Sequence, residues 1–257
     1  MAEGHRPGVG TWQVLATRRV LHSLNSVATF DEPLPATVTK FALVNNLQRQ
    51  PRAHIYGNYF GNNRARGILV KTSHVLIENN RFENTLGPAI QAYPDGCFWF
   101  ESASFTNWTA RNNIITGVNR DHQWSNDQLN ISEFQVGDII IAACGVDFVD
   151  GRPDNCSGAS VEGRHLRPCG NPIRCDDCFP FADVSLENNS FTQDRLGVQP
   201  HPAATVWGVN GLQLRGNKVN VPPSSGGGSF LVSNSHCVAD ANVCGHEADK
   251  CYVSGCK

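Results

Sequence analysis

Between positions 62 and 102 the sequence gathers side chains that could do chemistry together. The stretch Asn62-Asn-Arg-Ala-Arg-Gly-Ile-Leu-Val-Lys71 offers an amide and three cations, Arg64, Arg66 and Lys71. Some twenty residues on, Gln91-Ala-Tyr-Pro-Asp-Gly-Cys-Phe-Trp-Phe-Glu-Ser102 offers the amide Gln91, the carboxyls Asp95 and Glu101, and the indole Trp99 between them. Cleaving a bond between sugars takes such a set: two carboxyl groups flanking the bond, an aromatic face, and planar donors to hold hydroxyl groups. Asp95 and Glu101 are therefore the candidate catalytic pair. Asn62, Arg64, Arg66, Lys71, Gln91 and Trp99 are candidate substrate-binding groups. The same residues also have plain structural uses, since Asp95-Gly96 is a common turn dipeptide and an indole can seal a core edge. Asp121 and Asp138 stand by as further acids.

The elements that must position these groups show themselves as a repeat. A run of alternating apolar residues, then Asn or Gly, then Asn, one residue, and another apolar residue occurs five times. The copies are Ala53-His-Ile-Tyr-Gly-Asn-Tyr-Phe60, Val75-Leu-Ile-Glu-Asn-Asn-Arg-Phe82, Trp108-Thr-Ala-Arg-Asn-Asn-Ile-Ile115, Val184-Ser-Leu-Glu-Asn-Asn-Ser-Phe191 and Leu212-Gln-Leu-Arg-Gly-Asn-Lys-Val219. Period two reads as strand, and Asn-Asn or Gly-Asn as a sharp bend at positive φ. The second Asn recurs at 58, 80, 113, 189 and 217. The shortest interval, 22 residues, suits one coil of three short strands, and the longer ones carry loops inserted on particular coils. Stacked coils would let each Asn bond to its counterparts above and below, as in other stacked-strand ladders.

The fold class expected is therefore all-β, a right-handed parallel β-helix of the pectin-lyase-like solenoid kind. Gly67 to Thr72, Ala89 to Ala92 and Asp138 to Ala143 are expected to supply strands of the other walls. Just before the bend, Tyr56, Glu78, Arg111, Glu187 and Arg215 form an outward column of alternating charge, which reads Glu78 and Glu187 as structural. Coils stack about 4.8 Å apart, so groups one or two coils apart lie ~5 to 10 Å from each other, a range spanning retaining and inverting geometries.

A formal charge of −2 gives no basic footprint for nucleic acid, and no apolar run approaches a bilayer span, so neither nucleic acid nor membrane is expected as a partner. Ten cysteines, nine of them after residue 140, suggest disulfides and a secreted or extracellular protein. Sequons at Asn107, Asn130, Asn155 and Asn188 agree, although no signal peptide is visible and a missing leader is the expectation. The domain reading is an N-terminal cap or remnant over 1–39, the β-helix over 40–221 with a cysteine-rich loop at 144–180, and a cysteine-rich cap over 222–257.

Asn62-Asn-Arg-Ala-Arg-Gly-Ile-Leu69, Val75-Leu-Ile-Glu-Asn-Asn80, Gly87-Pro-Ala-Ile90 and Trp99-Phe-Glu-Ser102 resemble the core motifs of the α-1,3-galactosidases of glycoside hydrolase family 110. The likeness covers roughly residues 28 to 145. It implies a parallel β-helix that removes terminal α-1,3-linked galactose with inversion and without a metal or other cofactor. It also implies that Asp95 and Glu101 sit in the groove, with Arg64, Arg66 and Trp99 holding the sugar. The chain departs from the family at Glu101-Ser102-Ala103, where Gly is usual in the third place, and in its cysteine-rich part after Cys144. The alternatives of another class are a noncatalytic carbohydrate-binding or surface protein on the same fold, and a polysaccharide lyase.

Overall fold

The computed structural model describes residues 14–19, 26–34, 50–94, 104–120, 137–142, 181–193, 201–220, 229–240, 242–244 and 253–256. The chain divides into two units, Met1–Ala42 and Leu43–Lys257. In the first, β1 (Val14–Arg19) and β2 (Ser26–Phe30) pair antiparallel. The second unit is a parallel β-helix.

Its coils repeat three walls in a fixed order. The first coil is β3 (Ala53–Tyr56), β4 (Tyr59–Gly61) and β5 (Ile68–Leu69). The second is β6 (Val75–Glu78), β7 (Arg81–Glu83) and β8 (Ile90–Ala92). The third is β9 (Phe105–Arg111), β10 (Ile114–Thr116) and β11 (Ile139–Ile141). The fourth is β12 (Phe181–Glu187), β13 (Ser190–Thr192) and β14 (Ala204–Trp207). The fifth takes β15 (Val209–Arg215), β16 (Lys218–Asn220) and the start of β17 (Phe230–Asp240). The rest of β17, β18 (Val243–Cys244) and β19 (Val253–Cys256) form a sixth. Every pairing within this unit is parallel and in register. The three expected extra strands are found as β5, β8 and β11, stacked in the third wall.

The bend between first and second walls explains the repeat. Its leading residue is Gly57, Asn79, Asn112, Asn188 or Gly216, with φ between 52° and 67°, the left-handed region that only Gly and Asn enter cheaply. The second residue builds a continuous ladder. Oδ1 of Asn80, Asn113, Asn189, Asn217 and Asn242 accepts both the backbone N–H and the Nδ2 of the Asn one coil earlier, at 2.9 to 3.2 Å. Each Nδ2 also donates to a carbonyl of the preceding coil, from Ile55 through Leu214. The side chains thereby satisfy backbone groups at a corner where strand pairing stops.

Asn242 is a sixth member that the five-copy pattern does not contain. The residues read as a C-terminal cap thus supply strands that stack on the same walls. The run Pro222 to Gly228 and the cysteine-rich loop at 144–180 lie outside the described residues.

The core runs along the axis of the coils. Val75, Ile77, Trp108, Val184, Leu186 and Leu214 enter from the first wall, Phe82, Ile115 and Phe191 from the second, and Ile90, Ile139 and Phe230 from the third, all buried. Like residues stack on like: Phe60 lies on Phe82 with ring centroids 5.0 Å apart, and Phe105 on Phe181 at 4.3 Å. Among the described residues, no helix is long and apolar enough to cross a membrane.

Candidate active site

The corners of the helix decide where a site has room. First and second walls are always joined by the two-residue Asn bend, which the ladder fixes. Every long connection flanks the third wall instead. The link into it grows from 62–67 in the first coil to 117–138 in the third, and the link out of it from 70–74 to 93–104 and 142–180. Variable loops on a rigid frame are where such folds carry function.

All eight candidate residues belong to this flank by sequence. Asn62 sits at the bend after β4 with φ 55°, exposed, its backbone N–H donating to the Glu83 carbonyl at 3.0 Å. Asn63 then folds the next turn, since its Oδ1 accepts from the Ala65 N–H at 3.2 Å and its Nδ2 donates to the Arg66 carbonyl at 2.8 Å. That turn presents Arg64 to solvent and half-buries Arg66. Burial pulls the Arg66 guanidinium below its ordinary pKa. Gly67 is obligatory here, because a Cβ would stand 2.5 Å from the Ala89 carbonyl oxygen and 2.7 Å from the Phe82 ring.

The structure brings the first segment beside Gln91. Leu69 pairs with Gln91, and the Val70 N–H donates to the Gln91 carbonyl at 2.9 Å, which leaves Lys71 just beyond the same rung. Gln91 points outward in the column Leu69, Gln91, Ile140, Thr205. An outward column ought to be wet, yet Gln91 is 3% exposed and Ile140 and Thr205 are 0%. The Gln91 Oε1 is buried without a hydrogen-bond partner. Stranding an amide oxygen costs about 1–3 kcal/mol, and such groups in native structures tend to mark function or strain. Asp95, Trp99 and Glu101 lie outside the described residues, as does Asp121.

Asp138 is placed differently from the free acid the sequence suggested. It is 1% exposed and bonded through Oδ1 to Nε2 of His201, equally buried, at 2.6 Å. The Asp138 carbonyl accepts the Ala89 and Ile90 N–H groups, and the His201 carbonyl accepts from Nε2 of Gln193. The pair therefore locks the entry to the third wall across three coils. His201 escaped the sequence reading because 194–203 matches no repeat; its only signal is a His-Pro dipeptide just ahead of a strand.

Glu78 stands on the first wall, away from this flank. It accepts from Nε of Arg111 at 2.7 Å and pairs with Nε2 of His54 at 2.9 Å, and these partners hold its carboxyl below the usual range. Its register partners Tyr56 and Arg111, and Arg111's partner Glu187, reproduce the expected charge column, which continues to Arg215 and Asp240. Among the described residues no group of three or more His, Cys, Asp or Glu is placed to hold a metal ion.

Comparison with known proteins adds chemistry to this frame. The chain is 39% identical over 94 residues to alpha-1,3-galactosidase B of Bacteroides thetaiotaomicron, covering 36% of this chain and 15% of that protein. It is 41% identical over 90 residues to alpha-1,3-galactosidase A of Streptomyces avermitilis, covering 34% of this chain and 14% of that protein. A stretch of this chain is similar to the α-1,3-galactosidases. Alpha-1,3-galactosidase B of Akkermansia muciniphila extends the likeness to 112 residues at 34% identity, 43% of this chain and 14% of that protein. The resemblance carried by the Asn-Arg-Ala-Arg-Gly and Trp-Phe-Glu-Ser motifs agrees with these α-1,3-galactosidase matches. No family model matches the chain. The chain thus spans about a seventh of the length of these galactosidases.

Proposed function

We propose that the third wall and its flanking loops form a carbohydrate site, and that the chain acts as an exo-acting glycoside hydrolase on glycans ending in α-1,3-linked galactose. The observation that carries the proposal is the 39–41% identity to α-1,3-galactosidases. The placement of Arg64, Arg66 and Gln91 on neighbouring coils of one flank supports it, because a sugar ring needs several donors and acceptors converging on one face. In this reading Asp95 and Glu101 are the two carboxyls of an inverting site. One protonates the leaving glycosidic oxygen, and the other takes a proton from the water that attacks from the opposite face. Asn62, Arg64, Arg66, Lys71 and Gln91 hold ring hydroxyls, and Trp99 lies against the apolar face of the sugar. No metal enters the scheme.

The experiment is release of galactose from a panel of α- and β-galactosides, run beside Asp95→Asn and Glu101→Gln variants of unchanged circular dichroism. Release confined to α-1,3 linkages and lost in either variant supports the assignment. No release, with glycan binding retained, assigns the fold to a noncatalytic binding role instead.

The compartment belongs with the proposal. Cys237 is disulfide-bonded, and no described cysteine is a free thiol. An oxidising, extracellular setting accommodates both.

A further inference from the structure

The two ends of the β-helix are complementary to each other. At the first coil the inward residues Ala53, Ile55, Phe60 and Ile68 are only partly buried, whereas their counterparts one coil on, Val75, Ile77, Phe82 and Ile90, are 0 to 3% exposed. β3, β4 and β5 are also the terminal strands of all three walls. The ladder stops there: among the described residues Asn58 Oδ1 accepts no hydrogen bond, although Oδ1 of each of the other five ladder asparagines accepts two.

The sixth coil presents the opposite face. Ala239 follows the inward column of Ile55, Ile77, Ala110, Leu186 and Leu214, and it is exposed. In every interior step an Asn backbone N–H donates to Oδ1 of the next Asn; Asn242 is the member with no next Asn.

We infer that the first-coil face docks the last coil of a second copy of this chain, head to tail, so that the β-helix continues across the junction. Three parallel edges, at the corners of one triangular cross-section, can all be paired only by another three-walled coil. Continuing the register sets Ile55 against Ala239, the same pairing as Ile77 against Ala110 inside the helix. Asn242 then donates its N–H to Asn58 Oδ1, and Asn58 Nδ2 reaches the Ala239 carbonyl, as Asn80 Nδ2 reaches Ile55. On the outer column Asp240 comes beside Tyr56, so no like charges meet. The contact uses two different faces, so it is heterologous and grows into open chains rather than closed dimers. Exposed strand edges are the ordinary seat of such association.

Two variants block one face each at positions where a long side chain has solvent to enter: Ile55→Arg at the first coil and Ala239→Arg at the last. Mass measured by light scattering across a dilution series is the readout, with circular dichroism as the folding control. The wild-type chain is expected to give a concentration-dependent ladder of masses and each variant alone a monomer. Mixing the two variants should yield a one-to-one dimer and nothing larger, since only one productive junction remains. A wild-type monomer at every soluble concentration overturns the proposal and leaves these edges to another segment of polypeptide. Variants that still polymerise alone overturn it as well.

Discussion

Replacing Asn113 with Ala probes the ladder at its most connected point. The side chain is 1% exposed. Its Oδ1 accepts the Asn80 N–H at 3.0 Å and Asn80 Nδ2 at 3.1 Å, while its Nδ2 donates to the Ile77 carbonyl at 3.0 Å. After substitution Asn80 Nδ2 keeps the Ile55 and Glu78 carbonyls, and Asn189 Oδ1 keeps the residue-113 N–H. Two buried backbone groups lose these bonds, the Asn80 N–H and the Ile77 carbonyl. At about 1–3 kcal/mol for each stranded group the loss is about 2–6 kcal/mol, a large share of the roughly 5–15 kcal/mol that holds an ordinary domain. Asn58→Ala is the internal comparison. Asn80 Oδ1 retains the Asn58 N–H when the Asn58 side chain is gone, so the cost falls to about 0.5–1.5 kcal/mol. Urea unfolding of both variants in dilute solution, with unchanged slope, reads the difference as a shift in midpoint. Equal losses at the two sites, or a loss below about 1 kcal/mol at Asn113, would refute the reasoning that the ladder satisfies otherwise orphaned backbone groups.

Gly67→Ala forces a methyl against the Ala89 carbonyl and the Phe82 ring; a loss of about 1–3 kcal/mol in the same assay is expected, and an unchanged midpoint would contradict the close approach. Glu78 has a folded-state pKa below its unfolded value, held there first by the Arg111 hydrogen bond and then by His54. Its stabilising contribution is therefore complete above the unfolded carboxylate pKa and fades as pH falls through the folded one. The stability gap between wild type and Glu78→Gln should shrink in acid and in high salt, and a gap constant with pH would remove the ion pair from the explanation. Of the ten cysteines, few should react with a thiol reagent in unreduced, denatured protein; ten reactive thiols would end the disulfide reading.

The wall-and-bend architecture is legible because one local constraint repeats. A tight corner needs a positive φ and then an amide, and only Gly or Asn followed by Asn supplies both, so Asn79-Asn80 or Gly216-Asn217 announces the corner wherever it falls. The sixth corner goes unread because Ala241 replaces the Gly or Asn and Cys244 replaces the apolar residue that follows. The buried outward column of the third wall is not legible at all. Leu69, Gln91, Ile140 and Thr205 alternate with core residues as an exposed face would, and only tertiary cover makes the last three dry. Likewise Asp138 reads as a free acid until the chain folds His201 against it from 63 residues away. Pairing of that kind depends on which loops share a coil, and spacing alone does not carry it.

The most direct test of the carbohydrate-cleaving assignment is the configuration of the first galactose released from an α-1,3-linked galactoside, followed by proton NMR before mutarotation. Two carboxyls acting on opposite faces of the ring yield β-galactose first. Release of α-galactose would contradict the inverting arrangement of Asp95 and Glu101, and absence of any release from a correctly folded chain would contradict the activity itself.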